Sequence, residues 1–365
     1  MTRPIDAAAF RPAGSGIAAH MVDGLPGAID AVADAAAASH AFLGRGWFAA
    51  AITAYGGRAR TVIVERDGAP VLAMPLVGLG PAALRLAAVP GSYWPFRSFP
   101  VARTADDSVF GAALDTIATD LRGIRIGPVY DGDAGAAPLL AAARARGWAT
   151  TDRFVADSWL LDMAPLGEGQ WPRGSTLRKN RFHEKHLAAH GRLDWRFVTG
   201  TEWTAAVFDG LADVEQASWI ADRTGGEDAK FTAAGHGAFW RAAAADPRTA
   251  AMMRAAVLEI DGRPAAFSFN LDTGPLRYAI ANSYDPRVAK HSPGKLLQYR
   301  DMADARARGI RHIDWGAGDS GYKQVIGAVK GPAIRDWLLL RPGLPELAGR
   351  MLARAWRRSG NTAAG

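Results

Sequence analysis

Val64-Glu65-Arg66-Asp67-Gly68-Ala69-Pro70 returns later in the chain as Leu258-Glu259-Ile260-Asp261-Gly262-Arg263-Pro264. Ten residues after each proline a glycine opens the same dipeptide, Gly80-Pro81 and Gly274-Pro275. An Asp-Gly pair between two apolar runs is the turn of a β-hairpin, because both turn positions need a positive φ. The correspondence extends outward. Leu84-Arg85-Leu86 matches Leu276-Arg277-Tyr278, Ser92-Tyr93-Trp94-Pro95 matches Ser283-Tyr284-Asp285-Pro286, and Arg122-Gly123-Ile124-Arg125 matches Arg308-Gly309-Ile310-Arg311. Eleven residues after Arg122 and Arg308 stand Asp133 and Asp319, each behind a glycine. Matches in one order, offset by about 190 residues, read as an internal duplication.

Each half then reads as helix, hairpin, third strand, helix and final strand. Helical patterning precedes the hairpins at Ala28 to Ala38 and Thr201 to Arg223, and follows the third strands at Asp107 to Leu121 and Gly294 to Ala307. Gly123 and Gly309 end the latter pair, before short strands Ile124 to Ile126 and Arg311 to Trp315. A helix joining two strands this way makes them parallel neighbours. The expected architecture is α/β, with tandem domains whose sheets are mixed and partly parallel. It divides the chain into a first domain at 1–165, a basic linker at 166–192, a second domain at 193–343 and a C-terminal helix and tail at 344–365.

Composition narrows the chemistry. The 365 residues contain no cysteine, which excludes disulfides, thiolate metal sites and cysteine nucleophiles. Eight histidines show no ligand pair of metal-site spacing, so no metal is expected. No apolar run reaches the ~18–20 residues of a membrane span, and Met1 to Asp6 leads into no signal-peptide core, so the reading is a cytoplasmic protein. The net charge of +7 comes from 36 arginines and seven lysines against 36 acidic residues. That balance suits nucleic acid, an anionic small ligand or a membrane surface equally.

The halves differ where chemistry would lie. Lys290-His291-Ser292-Pro293-Gly294-Lys295-Leu296 follows the third strand of the second half. Ser292 is placed as an N-cap, Pro293 in the first turn, and Gly294 where another backbone can approach. Amide N–H groups at such a helix start, flanked by two lysines, suit a diphosphate. The first half has Arg97 to Arg103 there, without Pro-Gly-Lys. Asp314 ends a buried strand before a glycine-rich turn, with Tyr322 and Lys323 beyond it; its counterpart is Pro128. That position is a ligand site in open α/β sheets, or else a turn whose aspartates cap the backbone. Glu215 lies in a helix, where a lone glutamate ordinarily faces solvent. The helix carrying Arg178, Lys179, Arg181 and Lys185 is either a solvated linker or an arm for phosphates. Leu344 to Arg358 is a basic amphipathic helix that either lies on an anionic membrane or closes the core.

Leu177 to Arg181, Glu215 to Trp219, Tyr284-Asp285-Pro286, Ser292 to Leu297 and Asp314 to Lys323 together resemble the GNAT-fold acyltransferases of the CelD/BcsL type. These are linked to exopolysaccharide synthesis and distantly related to the FemAB peptidyltransferases, which pair two GNAT-like domains. The resemblance implies an acyl-CoA donor at Lys290 to Leu296 and transfer to the amine of a cell-envelope precursor, either an amino sugar or a long-chain amino lipid. It directs attention to Glu215 or Asp314 as base, Tyr322 as acid or oxyanion donor, and Lys323 as a stabilising charge. Tyr93, Trp94, Arg97, Trp219, Tyr284 and Asp319 are expected to contact substrate, the first half serving as a non-catalytic wall. FemAB enzymes use aminoacyl-tRNA through a long two-helix arm, where this chain has only the stretch 173–192. A tRNA-dependent transferase and a non-catalytic scaffold are the alternatives, and a peripheral site on the inner membrane face would fit the C-terminal helix.

Overall fold

The computed structural model describes residues 16–164, 173–218, 225–318, 321–343 and 346–358, without the side chains of 322 and 346–350. The first half runs β1 (Ile17–Asp23), α1 (Ala28–Ala35), α2 (Arg45–Tyr55), β2 (Arg60–Arg66), β3 (Ala69–Gly78), β4 (Leu86–Ala88), α3 (Asp107–Asp120), β5 (Gly123–Tyr130), α4 (Ala136–Ala145) and β6 (Ala149–Asp162). The second runs α5 (Gly174–Leu187), β7 (Leu193–Thr199), α6 (Ala205–Ala217), α7 (Gly237–Ala244), α8 (Pro247–Met252), β8 (Met253–Ile260), β9 (Arg263–Thr273), β10 (Leu276–Tyr284), α9 (Pro293–Ala307), β11 (His312–Ala317), α10 (Tyr322–Val325), β12 (Val329–Leu340) and α11 (Glu346–Arg358).

Both Asp-Gly pairs turn the hairpins as their chemistry requires. Asp67 and Gly68 have φ of 53° and 79°, Asp261 and Gly262 of 50° and 77°. The long helix expected from Thr201 starts only at Ala205, because Thr204 caps it by accepting from the Val207 N–H. It ends at Ala217, where the Ser218 hydroxyl donates to the Glu215 carbonyl at 2.7 Å.

The halves are not two separate sheets. The strand order is β1-β2-β3-β4-β5-β12-β6-β11-β10-β9-β8-β7, with parallel pairing at β4/β5 and β10/β11. Each half has surrendered its last strand to the other. β12 lies antiparallel to β5 from Ile334↔Tyr130 to Leu340↔Gly123, while β6 lies antiparallel to β11 from His312↔Asp162 to Ala317↔Ser158. The two exchanged strands pair with one another along nearly their whole length, from Val329↔Leu160 to Leu340↔Ala149. One apolar core spans both halves: Trp47 of α2 meets Phe239 and Trp240 of α7 edge-on, at 4.8 and 5.7 Å between centroids.

A single carboxylate fastens the exchange. Asp336 of β12 is buried and receives Arg125 of β5 at 3.0 and 2.7 Å and Arg153 of β6 at 3.2 and 2.7 Å. Gly127 is obligatory beside it: φ is +132°, and a Cβ there would stand 2.8 Å from the Asp336 Cα. Trp356 of α11 covers both guanidinium groups, 4.0 Å from Arg153 and 5.1 Å from Arg125. The tryptophan of the C-terminal helix is thus engaged by the protein's own sheet. Among the described residues no helix is long and apolar enough to cross a membrane.

Asp336→Ala leaves two guanidinium groups facing each other without a counter-charge and should cost about 3–5 kcal/mol in urea unfolding. Asp131→Ala, which removes only the exposed partner of Arg335, should cost less than about 1 kcal/mol.

Candidate active site

β10 and β11 pair at Leu276↔His312, Arg277↔Ile313 and Tyr278↔Asp314, and there the pairing stops. β10 continues to Tyr284 and β11 to Ala317, so the two strands splay apart. Both strands are irregular at that point, β10 between Ala279 and Ala281 and β11 between Asp314 and Ala317, the second beginning at Asp314. The Asp314 Oδ1 accepts the Gly316 N–H at 2.8 Å, a local turn that Gly316 permits with φ of +75°. Lys323 then pins the turn, its ammonium donating to the carbonyls of Gly316, Ala317 and Gly318 at 3.2, 3.0 and 2.6 Å.

Trp94 of the first half fills the apex of the wedge. Its indole N–H donates to the Ala279 carbonyl at 3.1 Å, and a Cβ on Gly316 would fall 2.4 Å from its ring. Asp314 is 3 % exposed, and only its Oδ1 is used by the turn. Burial raises its pKa to about 6, against the opposing pull of Tyr130, the Gly316 N–H and Lys323. A carboxyl of that pKa exchanges protons near neutrality.

α9 begins at the end of β10, beside the opening of this wedge. Ser292 precedes it in the left-handed region (φ 52°), and its side chain makes no cap hydrogen bond, which corrects the expected N-cap. Gly294 is buried, and a Cβ there would meet the Tyr284 ring at 3.1 Å and Asn282 Oδ1 at 3.3 Å rather than a backbone. A side chain at 294 would hold the helix off β10. The Gly294 and Lys295 amides stand in the first turn, where a helix offers no carbonyl of its own. The Leu296 N–H is spent on the Ser292 carbonyl, and its side chain packs with Leu187 and Val288. Leu296 and Pro293 are both buried and shape the helix start.

Lys290 and Lys295 are exposed on either side, and α5 brings its own charges to the same place. Glu184 of α5 pairs with Arg300 of α9 at 2.7 Å. His183 is pushed down by desolvation and then by the charges of Lys179 and Lys295. His291 stands 5.1 Å from His190 and 6.1 Å from His186. The basic helix is thus an arm laid against the helix start. The first half differs in sign: Asp106 caps α3 by accepting the Ser108 N–H at 3.1 Å, and Asp107 follows it. A carboxylate there would repel a phosphate.

The register of α9 is set from beneath. Arg277 of β10 is buried, donating to Asp301 of α9 at 2.7 Å and to Asp272 at 2.7 and 2.8 Å. Asp301 also accepts from Ser268 at 3.0 Å and Asn270 at 2.9 Å. Every charge in the group is met.

Glu215 does not face solvent; it is 1 % exposed. Its oxygens accept the backbone N–H groups of Lys230 at 2.8 Å and Phe231 at 2.7 Å, so it fastens the loop after α6. Burial raises its pKa and these backbone donors oppose the rise. The ammonium of Lys323 is committed to the turn in the same way, and it acts on the site by holding Gly316 to Gly318 in place. Tyr93 and Arg97 lie with Trp94 between the halves, whereas Tyr284 supports the helix start. Trp219, Asp319 and the Tyr322 side chain lie outside the described residues.

Tyr55, Asp228, Lys230 and His236, which gather around Tyr93, escaped the sequence reading. A lysine in a chain of 36 arginines and only seven lysines was the one available signal for Lys230.

Residues 174–324 match a family described as an acetyltransferase (GNAT) domain. No curated protein matches the chain. FemX shares the fold over 89% of this chain and 97% of its own, with a TM-score of 0.59 and 12% identity. The C-terminal domain of a protein assigned as a lysylphosphatidylglycerol synthetase of Agrobacterium fabrum covers 91% of this chain and 93% of its own, with a TM-score of 0.53 and 15% identity.

The folded pKa of Asp314 lies above the ordinary value, so its contribution to stability is fully present below about pH 4 and disappears as pH rises through about 6. Asp314→Asn should flatten this part of the profile, seen as a melting-temperature gain over wild type that grows between about pH 4 and pH 7. The fold is α/β with one mixed, partly parallel sheet of the tandem GNAT-like kind, and residues 174–324 in its second half are similar to the acetyltransferase (GNAT) domain family.

Proposed function

We propose that the protein is an N-acyltransferase of the CelD/BcsL type, moving an acyl group from acyl-CoA to the amine of a cell-envelope precursor. One observation carries the reading: the strands part at Asp314, beside a helix start whose amides and lysines suit a diphosphate. The Gly294 and Lys295 amides, with Lys290, Lys295 and the basic face of α5, hold the phosphates. The thioester arm then enters the wedge between β10 and β11, and Trp94 limits its depth.

The amine attacks the thioester carbonyl and a tetrahedral oxyanion forms. Asp314 takes the ammonium proton, the C–S bond breaks, and the departing thiolate is protonated to CoA–SH. Asp314 suits the base better than Glu215, whose oxygens both already accept backbone protons. Tyr322 follows the turn in sequence and is assigned as acid or oxyanion donor. The first half serves as the acceptor wall. The domain division at 165/166 and 192/193 describes these roles along the chain, not the exchanged sheet.

A second reading, transfer from aminoacyl-tRNA, is favoured by the laying of α5 against the donor seat. The fold shared with FemX and with a domain named for lysylphosphatidylglycerol synthesis is compatible with either donor.

Calorimetric titration with acetyl-CoA and palmitoyl-CoA tests the donor, the tighter ligand reporting chain length. Lys295→Glu, on an exposed position, should weaken the preferred donor by about tenfold or more without lowering the melting temperature. Absence of binding to both thioesters, with tRNA binding that falls steeply with salt, would replace the first reading by the second. The pH profile of kcat/KM should fall below about pH 6 in wild type, and Asp314→Asn should lose about two orders of magnitude or more.

A further inference from the structure

Between the halves lies a polar cluster of side chains that acyl transfer, as described, does not use. Tyr55, Tyr93 and Arg97 come from the first half, Lys230 and His236 from the second. The Tyr55 hydroxyl shares a hydrogen bond with His236 Nδ1 at 2.8 Å, and the His236 ring lies 5.0 Å from that of Tyr93. Lys230 is buried, and its ammonium donates to the Tyr93 hydroxyl and to the Asp228 carbonyl, both at 2.6 Å. Its third proton meets no acceptor among the described residues. Arg97 donates from Nε to the Gly91 carbonyl at 2.9 Å, while its terminal nitrogens donate to nothing among the described residues.

Neither cation makes an ion pair with a described carboxylate. Glu215 lies near Lys230 but is spent on backbone amides. Asp336 lies near Arg97 but is already shared by Arg125 and Arg153. The Asp228 carboxylate is exposed and meets only the Tyr93 hydroxyl, at 3.4 Å. Burial lowers the pKa of Lys230 to about 8 and that of Arg97 to about 10, the second with help from Arg125. Burial and the Lys230 charge lower His236 to about 4. A buried cation such as Lys230 and a half-buried one such as Arg97 are costly without counter-ions, and functional sites are where folds tolerate them.

We propose that this cluster grips the acceptor by an anionic group, a phosphate or a carboxylate, met by the Arg97 guanidinium and the Lys230 ammonium. The charges of both reach His236. The acceptor of the acyltransferase reading, on which this rests, is then an amine that also bears negative charge. Tyr93 precedes Trp94, which closes the wedge at Gly316, so a ligand anchored at Tyr93 is held next to the reaction cleft.

Titration of the full chain with O-phosphoethanolamine, 4-aminobutyrate and ethanolamine tests this without turnover. The phosphate or the carboxylate compound should bind at least about tenfold more tightly than neutral ethanolamine, and whichever does so identifies the anion. Arg97→Gln and Lys230→Gln should each remove that advantage. Equal affinity for all three amines, or variants that keep the advantage, would overturn the proposal. Should the variants fail to fold, acetic anhydride labelling of wild-type Lys230, read by mass spectrometry, replaces them. Inorganic phosphate or acetate should slow labelling about fivefold or more, and no protection by either refutes the site. Acetyl-CoA affinity on the same preparation reports the donor seat separately, so failure of one site is not mistaken for failure of the other.

Discussion

The Asp336 carboxylate, shared by guanidinium groups from the strands on both sides of it, is the constraint on which the architecture turns. It sits on β12, the strand that the second half lends to the first, and joins it to β5 and β6. A duplicated chain could have folded as two beads on a linker. Here the exchanged strands make the halves one sheet, so the cleft between them has walls of fixed separation. Trp356 lies across both arginines and keeps water from the pair, which strengthens the attraction.

Within that frame the two copies differ in residues and geometry at corresponding places. Both contain a short parallel pair that ends early, β4/β5 in the first and β10/β11 in the second. In the first copy the chain after β4 folds back as buried Phe96 and Phe99, and the next helix begins with carboxylates. In the second copy the strands stay parted and the helix begins with Pro-Gly-Lys. The indole that fills the second wedge comes from the first copy. The ionic group around Arg277 then fixes how far α9 slides over β9 and β10, and hence where its first amides point.

Counting hydrogen-bond partners separates side chains that hold the site from those available to act. Glu215 and Asp314 are both buried carboxylates, but Glu215 accepts from two backbone amides, whereas the turn takes only Oδ1 of Asp314. Lys323 and Lys230 are both buried ammonium groups. Three carbonyls of one turn surround the first, while the second meets a phenol and one carbonyl at a boundary between halves. Residue type and burial alone would not have told either pair apart.

Local chemistry was legible in the chain because it acts over a few residues. The Asp-Gly turns demanded positive φ, Gly309 ended α9 with φ of 85°, and the repeat announced two copies of one α/β unit. Gly123, expected to end α3, instead opens β5 after the helix has stopped at Asp120. Pro-Gly-Lys marked the helix start, and Asp314 before glycine marked a turn at a strand end. The strand exchange carried no such mark, since β6 and β12 have the same apolar character whichever partner they take. Pairing between residues some 170–220 positions apart depends on which edges meet once both copies have formed. The fate of Glu215 and the gathering of Lys230, His236, Tyr55 and Arg97 were settled there too. An isolated cation in sequence says nothing of its counter-ion, and only the packing of one half on the other decides whether it has one.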